Sequence, residues 1–458
     1  MRDVVSGKPM QGPRRPTRRR SPATLFVQLF DRHDAFSYYS PAIATLAAVL
    51  GRAGFRSRLH AADVRDPDRL VVEAARRSRA AVVAFSILSP SWPHARRLIR
   101  AVKEGTRALV IAGGPHPTFC PEEVLAQSPV DAICLGEGET ALLELVRRLA
   151  AGRRLLDVRN FWFRDPDGGR RIVRNPLRPL VADLDGIPDQ DRGLFRRAER
   201  RTGVPREDWR MIVQAGRGCL FDCSFCANEG MGALYGGCRA FHRVRGPARV
   251  VGEIAALVRR HPGREIYFSD EVFPLAGGWF AEFADGMRRI GSPRFSVLAR
   301  CEVITPERVR RLREAGCIRV AMGVEHGNER YRREMLGKRL GDAVIRRAFA
   351  AAKAAGLLTQ AFCMVGLPFE TDELVEETMR FLPSLGPDAT TCQVFNPLPG
   401  SRLHELCRRR GLLPVLEPDQ DRPDMLHLIR HVSLSPAKLA EACRFFRIPG
   451  LERAAAGS

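Results

Sequence analysis

Residues 211–226 read MIVQAGRGCLFDCSFC, and the fold of the chain can be worked out from this stretch. It opens with a short apolar run typical of a buried strand and passes through two glycines into a loop. Three cysteines follow within eight residues, at Cys219, Cys223 and Cys226. Because thiolates are soft ligands, we expect them to bind one metal centre at the carboxyl end of the strand.

The same alternation of short apolar runs and amphipathic stretches continues to about residue 395. The predicted strands are 211–214, 265–269, 295–299, 319–322, 360–365 and 390–395. The predicted helices between them are 247–259, 279–289, 306–314, 341–355 and 371–385. Six units of this kind predict a partial (β/α)6 barrel, in which the chemistry lies at the carboxyl ends of the strands.

A second strand–helix alternation occupies residues 24 to about 150. Its predicted strands are 25–29, 55–60, 81–85, 108–112 and 132–135, and its amphipathic helices are 41–53, 95–104 and 140–148. Short β-branched strands that alternate with helices predict an α/β fold with a doubly wound, Rossmann-like parallel sheet. Its ligand site is expected in the loops after the strands, at 31–40, 86–92, 113–119 and 136–139.

The two patterns divide the chain of 458 residues into five predicted parts. They are a disordered basic tail at 1–23, a first domain at 24–152, a connector at 153–205, a second domain at 206–400, and a helical carboxyl-terminal extension at 401–458. Within the connector, 161–164 and 171–173 predict a small hairpin, and 176–195 predict an extended linker.

Composition excludes several classes of protein. No apolar run approaches the roughly 20 residues that span a bilayer, and the start lacks the apolar segment of a secretory signal. The twelve cysteines therefore indicate a reducing, cytoplasmic setting, in which clustered cysteines hold metal. The formal charge is +22, but 69 of the 74 basic residues are arginines spread over the whole chain, so we expect no nucleic-acid partner.

Two other interpretations of the cysteines remain open. A closed zinc site needs a fourth ligand, for which Cys238 is available, although nothing around Cys238 repeats the spacing of the loop. The three cysteines could also be unrelated buried residues. Three ligands to a four-iron cluster, by contrast, leave one iron open for a substrate or cofactor.

The spacing Cys-x3-Cys-x2-Cys, with Phe225 before the last cysteine, resembles the radical S-adenosylmethionine (SAM) superfamily. The resemblance implies a [4Fe-4S] cluster bound by the three cysteines, with SAM on the open iron. It also implies that polar strand ends bind SAM, and the residues that match this pattern are Phe225, Asp270, Glu271, Arg300, Glu325 and Gly366. His326 departs from the family, which usually has a small residue there, so we interpret it as a core or rim histidine.

The doubly wound domain resembles the cobalamin-binding domain of B12-dependent radical SAM enzymes, a group that includes the magnesium-protoporphyrin ester cyclase and methyltransferases. The resemblance rests on Gly113-Gly114-Pro115-His116-Pro117 and Gly136-Glu137-Gly138-Glu139. It implies a cobalamin site formed by Ser86, Gly113, Gly114, Pro115, His116, Gly136, Glu137 and Gly138. Cobalt ligation by His33 is not expected, because Phe36 replaces the glycine of the ligating motif. A domain that keeps the fold and has lost the corrin is the alternative.

The resemblance covers residues 24–400 and implies an enzyme with a [4Fe-4S] cluster, SAM and cobalamin as cofactors. The expected reaction is C-methylation of an unactivated centre through a 5′-deoxyadenosyl radical and methylcobalamin. The substrate would be a small molecule or peptide, and the electron donor an external protein such as flavodoxin or ferredoxin. The alternatives are oxidative cyclisation or ring rearrangement without methyl transfer, RNA modification, and a non-enzymatic binding role. No residue is assigned to the catalytic step itself.

Overall fold

The computed structural model describes residues 22–30, 39–63, 66–165, 171–202, 211–275, 277–414 and 429–448. Two sheets dominate the fold, one of seven strands in the first half of the chain and one of six strands in the second. Both are parallel, apart from a short antiparallel addition to the first. The predicted α/β fold is therefore confirmed, whereas the predicted tail at 1–23 lies almost entirely outside the described residues.

The strands of the first sheet are β1 (Ala23–Phe30), β2 (Arg56–Asp63), β3 (Ala80–Ser86), β4 (Leu109–Gly113), β5 (Ala132–Cys134), β6 (Phe161–Arg164) and β7 (Ile172–Arg174). They follow the order β2-β1-β3-β4-β5-β6-β7. Strands β1 to β5 are parallel, and the direction in which strands are added reverses between β1 and β3. All eight residues of β1 are buried, because helices cover both faces of a central parallel strand.

The helices that cover this sheet are α1 (Pro41–Arg52), α2 (Arg69–Ser78), α3 (Trp92–Gly105), α4 (Pro115–Phe119), α5 (Pro121–Gln127) and α6 (Glu139–Ala150). They enclose two apolar cores, one on each face of the sheet. The start of α1 has a clear local cause, since the Ser40 hydroxyl accepts a hydrogen bond from the Ile43 N–H at 3.3 Å. Pro41 suits the first helical position, where no N–H is needed.

The hairpin of β6 and β7, which lies within the predicted connector, pairs with the first sheet. Strand β6 pairs antiparallel with β5, and β7 pairs antiparallel with β6, so the sheet extends to Arg174. This pairing satisfies backbone groups on the edge of β5 that a domain ending at residue 152 would leave open. The stretch predicted as an extended linker, all of it described, has neither strand nor helix until α7 (Arg192–Thr202) begins.

The strands of the second sheet are β8 (Ile212–Val213), β11 (Ile266–Phe268), β12 (Phe295–Ala299), β13 (Cys317–Glu325), β14 (Leu358–Val365) and β15 (Ala389–Val394). They are parallel and lie in sequential order from β8 to β15. Two short antiparallel segments, β9 (Gly216–Arg217) and β10 (Arg243–Val244), pair with each other. Each of the six predicted strands is present, and the partial (β/α)6 barrel is confirmed.

The helices of the second half are α8 (Ala227–Leu234), α9 (Cys238–Phe241), α10 (Pro247–Arg260), α11 (Gly277–Arg289), α12 (Pro306–Glu314), α13 (Glu329–Glu334), α14 (Asp342–Ala354), α15 (Asp372–Ser384), α16 (Arg402–Arg409) and α17 (Pro436–Phe445). The short helices α8, α9 and α13 are not predicted from the sequence. Helices α16 and α17 agree with the predicted helical extension after residue 400. In the part of the chain that the structure describes, no helix is long and apolar enough to cross a membrane.

Candidate functional site

The cysteine loop, residues 218–226, follows β9 near the carboxyl end of β8. Gly218 has a φ of 78°, and a Cβ atom there would lie 2.6 Å from the Phe241 ring, so the turn requires glycine. Cys219 is buried, Cys223 and Cys226 are partly exposed, and all three are free thiols. Burial raises the pKa of the Cys226 thiol to about 11, so without a metal this thiol keeps its proton at neutral pH.

Distant segments of the chain hold the cysteine loop from two sides. The Ser224 N–H donates to the Leu336 carbonyl at 3.0 Å, and the Leu403 N–H donates to the Ser224 carbonyl at 2.7 Å. The Arg402 guanidinium donates to the Asp222 carbonyl from 180 positions further along the chain. These protein contacts hold the loop in place. The sequence could not predict them, because the partners are far apart along the chain.

The three thiols of the cysteine loop lie near one another but do not converge on one point. Burial and mutual repulsion both raise the pKa of Cys226, so its thiol lies near those of Cys223 and Cys219. Within the described residues, however, the three do not form a group whose ligand atoms all lie within 4.8 Å of one another. A zinc–sulfur bond of about 2.3 Å brings the ligands of one ion closer than this, whereas each cysteine of a cluster binds a different iron. The donor set fits an iron–sulfur cluster.

The segment after β11 carries two acids in different environments. Asp270 is buried, and its carboxylate accepts the backbone N–H groups of Ala215 and Gly216 at 2.9 and 2.6 Å. Burial raises the pKa of Asp270 to about 7, although the two hydrogen bonds act in the opposite direction. Glu271 is exposed and hydrogen-bonds the Asn228 side chain. Asp270 therefore shapes the backbone ahead of the cysteine loop, and Glu271 is the acid that a ligand can reach.

Arg300, at the end of β12, lies against the cysteine loop. Its guanidinium is 3.7 Å from the centre of the Phe221 ring and donates to the Cys223 sulfur at 3.3 Å. Glu302 forms an ion pair with the same guanidinium. Arg300 thus places a buried positive charge directly beside a predicted cluster ligand.

Glu325, at the end of β13, has a partner that the sequence did not reveal. Its φ is 72°, and the pairing of β13 with β14 shifts register between Gly323 and Glu325. The Lys338 ammonium donates to the Glu325 carboxylate at 2.9 Å and to the Gly323 carbonyl at 2.6 Å. An irregular strand end of this kind redirects a side chain, here towards Lys338.

Gly366, after β14, is linked to His326 through a buried carboxylate. The Gly366 N–H donates to one oxygen of Glu370 at 2.6 Å, and the His326 Nε2 lies 3.1 Å from the other oxygen. His326 is 0% exposed, so the prediction of a core histidine is confirmed. A Cβ atom on Gly366 would lie 3.3 Å from the His431 ring, which shows that the carboxyl-terminal extension covers this strand end.

The loop after β5 contacts the barrel directly. A Cβ atom on Gly136 would lie 1.9 Å from the Tyr235 hydroxyl. The Glu137 carboxylate accepts from Arg217 at 2.9 Å and from Arg243 at 2.7 Å. Burial alone would raise the pKa of Glu137, but the two arginines outweigh burial and lower it. Since Arg217 immediately precedes the cysteine loop, an ion pair joins the carboxyl edge of the first sheet to the base of that loop.

The loop after β4 turns back into the first domain. Gly114 has a φ of 101°, and a Cβ atom there would lie 2.9 Å from the Ile87 carbonyl oxygen. His116 is 3% exposed, its Nδ1 lies 3.2 Å from the Ser89 hydroxyl, and its ring centre is 5.0 Å from that of Trp92. The imidazole therefore contacts protein groups and not solvent.

The glycines of these two loops have two possible physical reasons. The resemblance to cobalamin-binding domains implies that they let the backbone approach a large flat ring. Ile87 and Tyr235 already fill the space beside Gly114 and Gly136, and both glycines have positive φ. Packing within the protein is therefore sufficient to explain them.

Exposed apolar side chains lie in the loop after β3 and in the cysteine loop. Leu88, after β3, is 55% exposed, and Leu220, in the cysteine loop, is 54% exposed. Ser86 and Gly113 are partners at the neighbouring ends of β3 and β4 and are partly exposed. The loop that contains His33 lies outside the described residues. An apolar side chain beside open strand ends fits a large flat cofactor on this edge of the sheet.

Two protein-family models match the chain, the B12 binding domain over residues 33–146 and the Radical SAM superfamily over residues 213–382. The anaerobic magnesium-protoporphyrin IX monomethyl ester cyclase of Rubrivivax gelatinosus is 30% identical over 368 residues, which cover 75% of this chain and 63% of that protein. An uncharacterized methyltransferase of Pyrococcus horikoshii is 30% identical over 307 residues, which cover 66% of this chain and 64% of that protein. The chain thus spans a little under two thirds of either relative.

A solved structure shares the fold of most of the chain. The radical S-adenosylmethionine methyltransferase TsrM from Kitasatospora setae, with cobalamin and a [4Fe-4S] cluster bound, matches with a TM-score of 0.63 and 19% identity. The match covers 85% of this chain and 75% of that one, and at this identity it shows the fold alone. The chain therefore carries a radical SAM domain with a B12-binding domain ahead of it.

Proposed function

We propose that this protein is a cobalamin-dependent radical SAM enzyme that methylates carbon in a small-molecule or peptide substrate. The observation that carries the proposal is a contact between the two sheets, at the edges where their parallel strands end. There Arg217 pairs with Glu137 and Glu139 of the first domain. Because ligands bind at the carboxyl ends of parallel strands, this contact brings two expected ligand sites together. Methyl transfer needs such an arrangement, since both cofactors must reach one substrate atom.

The cysteine loop is proposed to bind the [4Fe-4S] cluster through Cys219, Cys223 and Cys226. Arg300 supports this role, because a guanidinium beside the Cys223 sulfur offsets the negative charge of thiolate ligands. Phe225 packs into an apolar cluster with the barrel and so fixes the backbone just before the last ligand. A loop held in this way needs little rearrangement when iron and sulfide are supplied.

SAM is proposed to lie between the cluster and the strand ends of the barrel. Glu271 is the acid best placed for its ammonium group, because it is exposed at the end of β11. Arg300 and Glu325 are proposed to face its carboxylate and ribose, since both lie at neighbouring strand ends. Asp270 and Gly366 contribute by shaping the backbone, because their polar groups are already used within the protein.

Cobalamin is proposed to lie on the carboxyl edge of the first sheet. The residues proposed to lie beside it are Ser86, Gly113, Gly114, Pro115, His116, Gly136, Glu137 and Gly138. Of these, His116 and Glu137 would act through their backbone, because their side chains face protein partners. When bound, cobalamin supplies the methyl group and SAM supplies the hydrogen-abstracting group, while the protein holds them in line and excludes water.

The electron that starts such a reaction must come from outside the chain. We propose a flavodoxin- or ferredoxin-like donor and a cytoplasmic location, since a cluster with an open iron requires a reducing setting. The proposed domains keep the bounds 24–152 and 206–400, with 153–205 between them and 401–458 as the extension. The hairpin that ends at Arg174 lies between the two domains in sequence and extends the sheet of the first.

The cyclase relative favours one other function, radical oxidation of a porphyrin-like substrate without net methyl transfer. Its match covers 75% of this chain. A cyclase of this kind would use the same cysteine loop. The two functions differ in the fate of the SAM methyl group, which cyclisation leaves in place.

The products formed from SAM separate the two functions. Full-length protein is reconstituted anaerobically with iron, sulfide and hydroxocobalamin, desalted, and incubated with SAM and dithionite. A methyltransferase should form about one equivalent of S-adenosylhomocysteine per bound cobalamin, even without its substrate. Formation of 5′-deoxyadenosine without cobalamin-dependent S-adenosylhomocysteine would favour the cyclase-like function. Failure to retain cobalamin would exclude both.

A further inference from the structure

A second group of metal-binding side chains lies in the first domain. The ligand atoms of His116, Cys120 and Glu123 all lie within 4.8 Å of one another. His116 belongs to α4, Glu123 belongs to α5, and Cys120 forms the junction between the two helices. The turn at Cys120, where the backbone leaves the helical conformation, brings the three side chains together.

The imidazole of His116 has one nitrogen in use and one without a partner. Its Nδ1 lies 3.2 Å from the Ser89 hydroxyl, which can accept the Nδ1–H and so fix the tautomer. Its Nε2 is buried and forms no hydrogen bond in the part of the chain that is described. Buried polar atoms are almost always satisfied, so an Nε2 lone pair in a nearly inaccessible ring indicates a missing ligand.

Cys120 and Glu123 complete the donor set. Both are partly buried, and the Cys120 thiol hydrogen-bonds the Glu123 carboxylate, so the two face each other. One thiolate sulfur, one imidazole nitrogen and one carboxylate oxygen suit a zinc ion that keeps its fourth position for water. When the ion binds, a zinc–sulfur bond replaces the S–H bond and the proton leaves to solvent.

We propose that His116, Cys120 and Glu123 bind a divalent ion of the zinc type. The ion would tie α4 to α5 directly after the turn at Gly114, and so fix the loop that follows β4. None of its ligands belongs to the cysteine loop. The proposal therefore stands whether or not the protein transfers methyl groups.

The test measures zinc in the full-length protein after its cluster has been assembled. The protein is incubated with one equivalent of zinc chloride and desalted, and its metals are counted by mass spectrometry. We expect about one zinc per chain in addition to the iron. X-ray absorption at the zinc edge should show one sulfur neighbour, with nitrogen or oxygen in the other positions. A shell of three or more sulfurs would place the zinc in the cysteine loop and overturn the proposal.

Variants decide which side chains hold the ion. Cys120→Ser and His116→Gln should each weaken zinc binding by more than about 100-fold, because loss of an indirect partner alone typically costs 10- to 100-fold. Iron content should stay at the wild-type value in both. Glu122→Gln is the matched control, since Glu122 adjoins Glu123 but lies outside the group. Equal zinc retention in the wild type and Cys120→Ser would refute the site, and Glu123→Gln serves as the deciding variant if Cys120→Ser does not fold.

Discussion

The cysteine loop and the loops after β4 and β5 occupy equivalent places, at the carboxyl edges of two parallel sheets, yet their neighbours differ. The guanidinium of Arg300 approaches the Cys223 sulfur as a hydrogen-bond donor, which leaves that sulfur free to bind a metal. Beside Gly114 and Gly136, by contrast, protein oxygen atoms occupy the place where a side chain would stand. The cysteines therefore indicate a ligand, whereas these two glycines indicate how the protein packs.

The difference matters for how variants are interpreted. A bulky replacement of Gly114 would collide with the Ile87 carbonyl and disturb the turn itself, so loss of cobalamin in that variant would not identify a cofactor contact. A cysteine variant is simpler to interpret, because its expected effect is measured directly as loss of iron. The two regions thus call for different experiments.

The largest effect is expected from the cysteine loop. Cys223→Ala removes one of three cluster ligands, so the brown colour, the iron and the formation of 5′-deoxyadenosine should all be lost. Iron and 5′-deoxyadenosine are measured after anaerobic reconstitution. The control is Cys317→Ala, because Cys317 is fully buried in the barrel core and should leave the cluster in place. Full iron content in Cys223→Ala would mean that Cys223 is not a cluster ligand, and the cysteine loop would then not differ from the glycine loops in this respect.

The next effect concerns Asp270, which holds the backbone ahead of the cysteine loop. Burial raises the pKa of Asp270 to about 7, so between roughly pH 4 and pH 7 the folded chain keeps a proton that the unfolded chain has released. The free energy of unfolding should therefore fall as pH rises through this window, by up to about 1.4 kcal/mol per pH unit from this group.

Urea unfolding of the cluster-free protein at several pH values measures this slope. Asp270→Asn cannot titrate, so its free energy of unfolding should decline less steeply across the same window. If the two proteins give parallel curves, Asp270 is already ionised in the folded state and its burial has less effect than we infer.

A smaller effect tests the packing explanation of a glycine. An alanine at residue 136 would bring its Cβ atom within 1.9 Å of the Tyr235 hydroxyl at a φ of 66°, so Gly136→Ala should cost about 2–3 kcal/mol in unfolding free energy. Adding Tyr235→Phe removes the hydroxyl and should recover part of that loss, because the left-handed backbone and a ring carbon 3.1 Å from the added Cβ atom remain unfavourable. A double variant no more stable than Gly136→Ala would contradict the packing explanation.

The smallest effect is expected for the ion pair between the two edges. Glu137→Gln keeps the shape of the side chain but removes the charge that Arg217 and Arg243 share, so we expect a loss of about 1 kcal/mol in unfolding free energy. The control is Glu73→Gln, whose partner Arg77 lies on an exposed helix face and should have no measurable influence. Equal stability of the two variants would mean that the contact between the edges does not depend on charge.

Much of the fold follows from periodicity in the sequence. The six barrel strands are recognisable because each is an apolar run between amphipathic helices, and such runs form buried parallel strands wherever helices can cover them. The place of the hairpin could not be predicted in the same way. Strands as short as β6 and β7 pair with whichever edge is open, and the open edge of β5 is a property of the folded domain.

The candidate site likewise has residues that the sequence predicts and residues that only the folded chain reveals. The three cysteines form a local motif, and the polar residues at strand ends can be located once the strands are known. Lys338, Glu370 and Arg217 act through partners outside their own motifs; Arg217, for example, pairs with Glu137 across 80 positions. No local pattern contains such a pairing, so it becomes visible only when the chain is folded. The roles assigned to individual residues in binding SAM and cobalamin stay predictions.

We expect the hairpin also to affect the solubility of the first domain as an isolated piece. Strand β5 has only three residues, all buried, and lies between β4 and β6. A fragment that stops at residue 152 would uncover one side of β5, whose free N–H and C=O groups are a template for a strand from another molecule. A fragment that continues past Arg174 ends its sheet on β7, which is three residues long and finishes in an exposed arginine. Short, charged borders of this kind resist strand addition, so two strands with no part in the proposed chemistry protect the domain from aggregation.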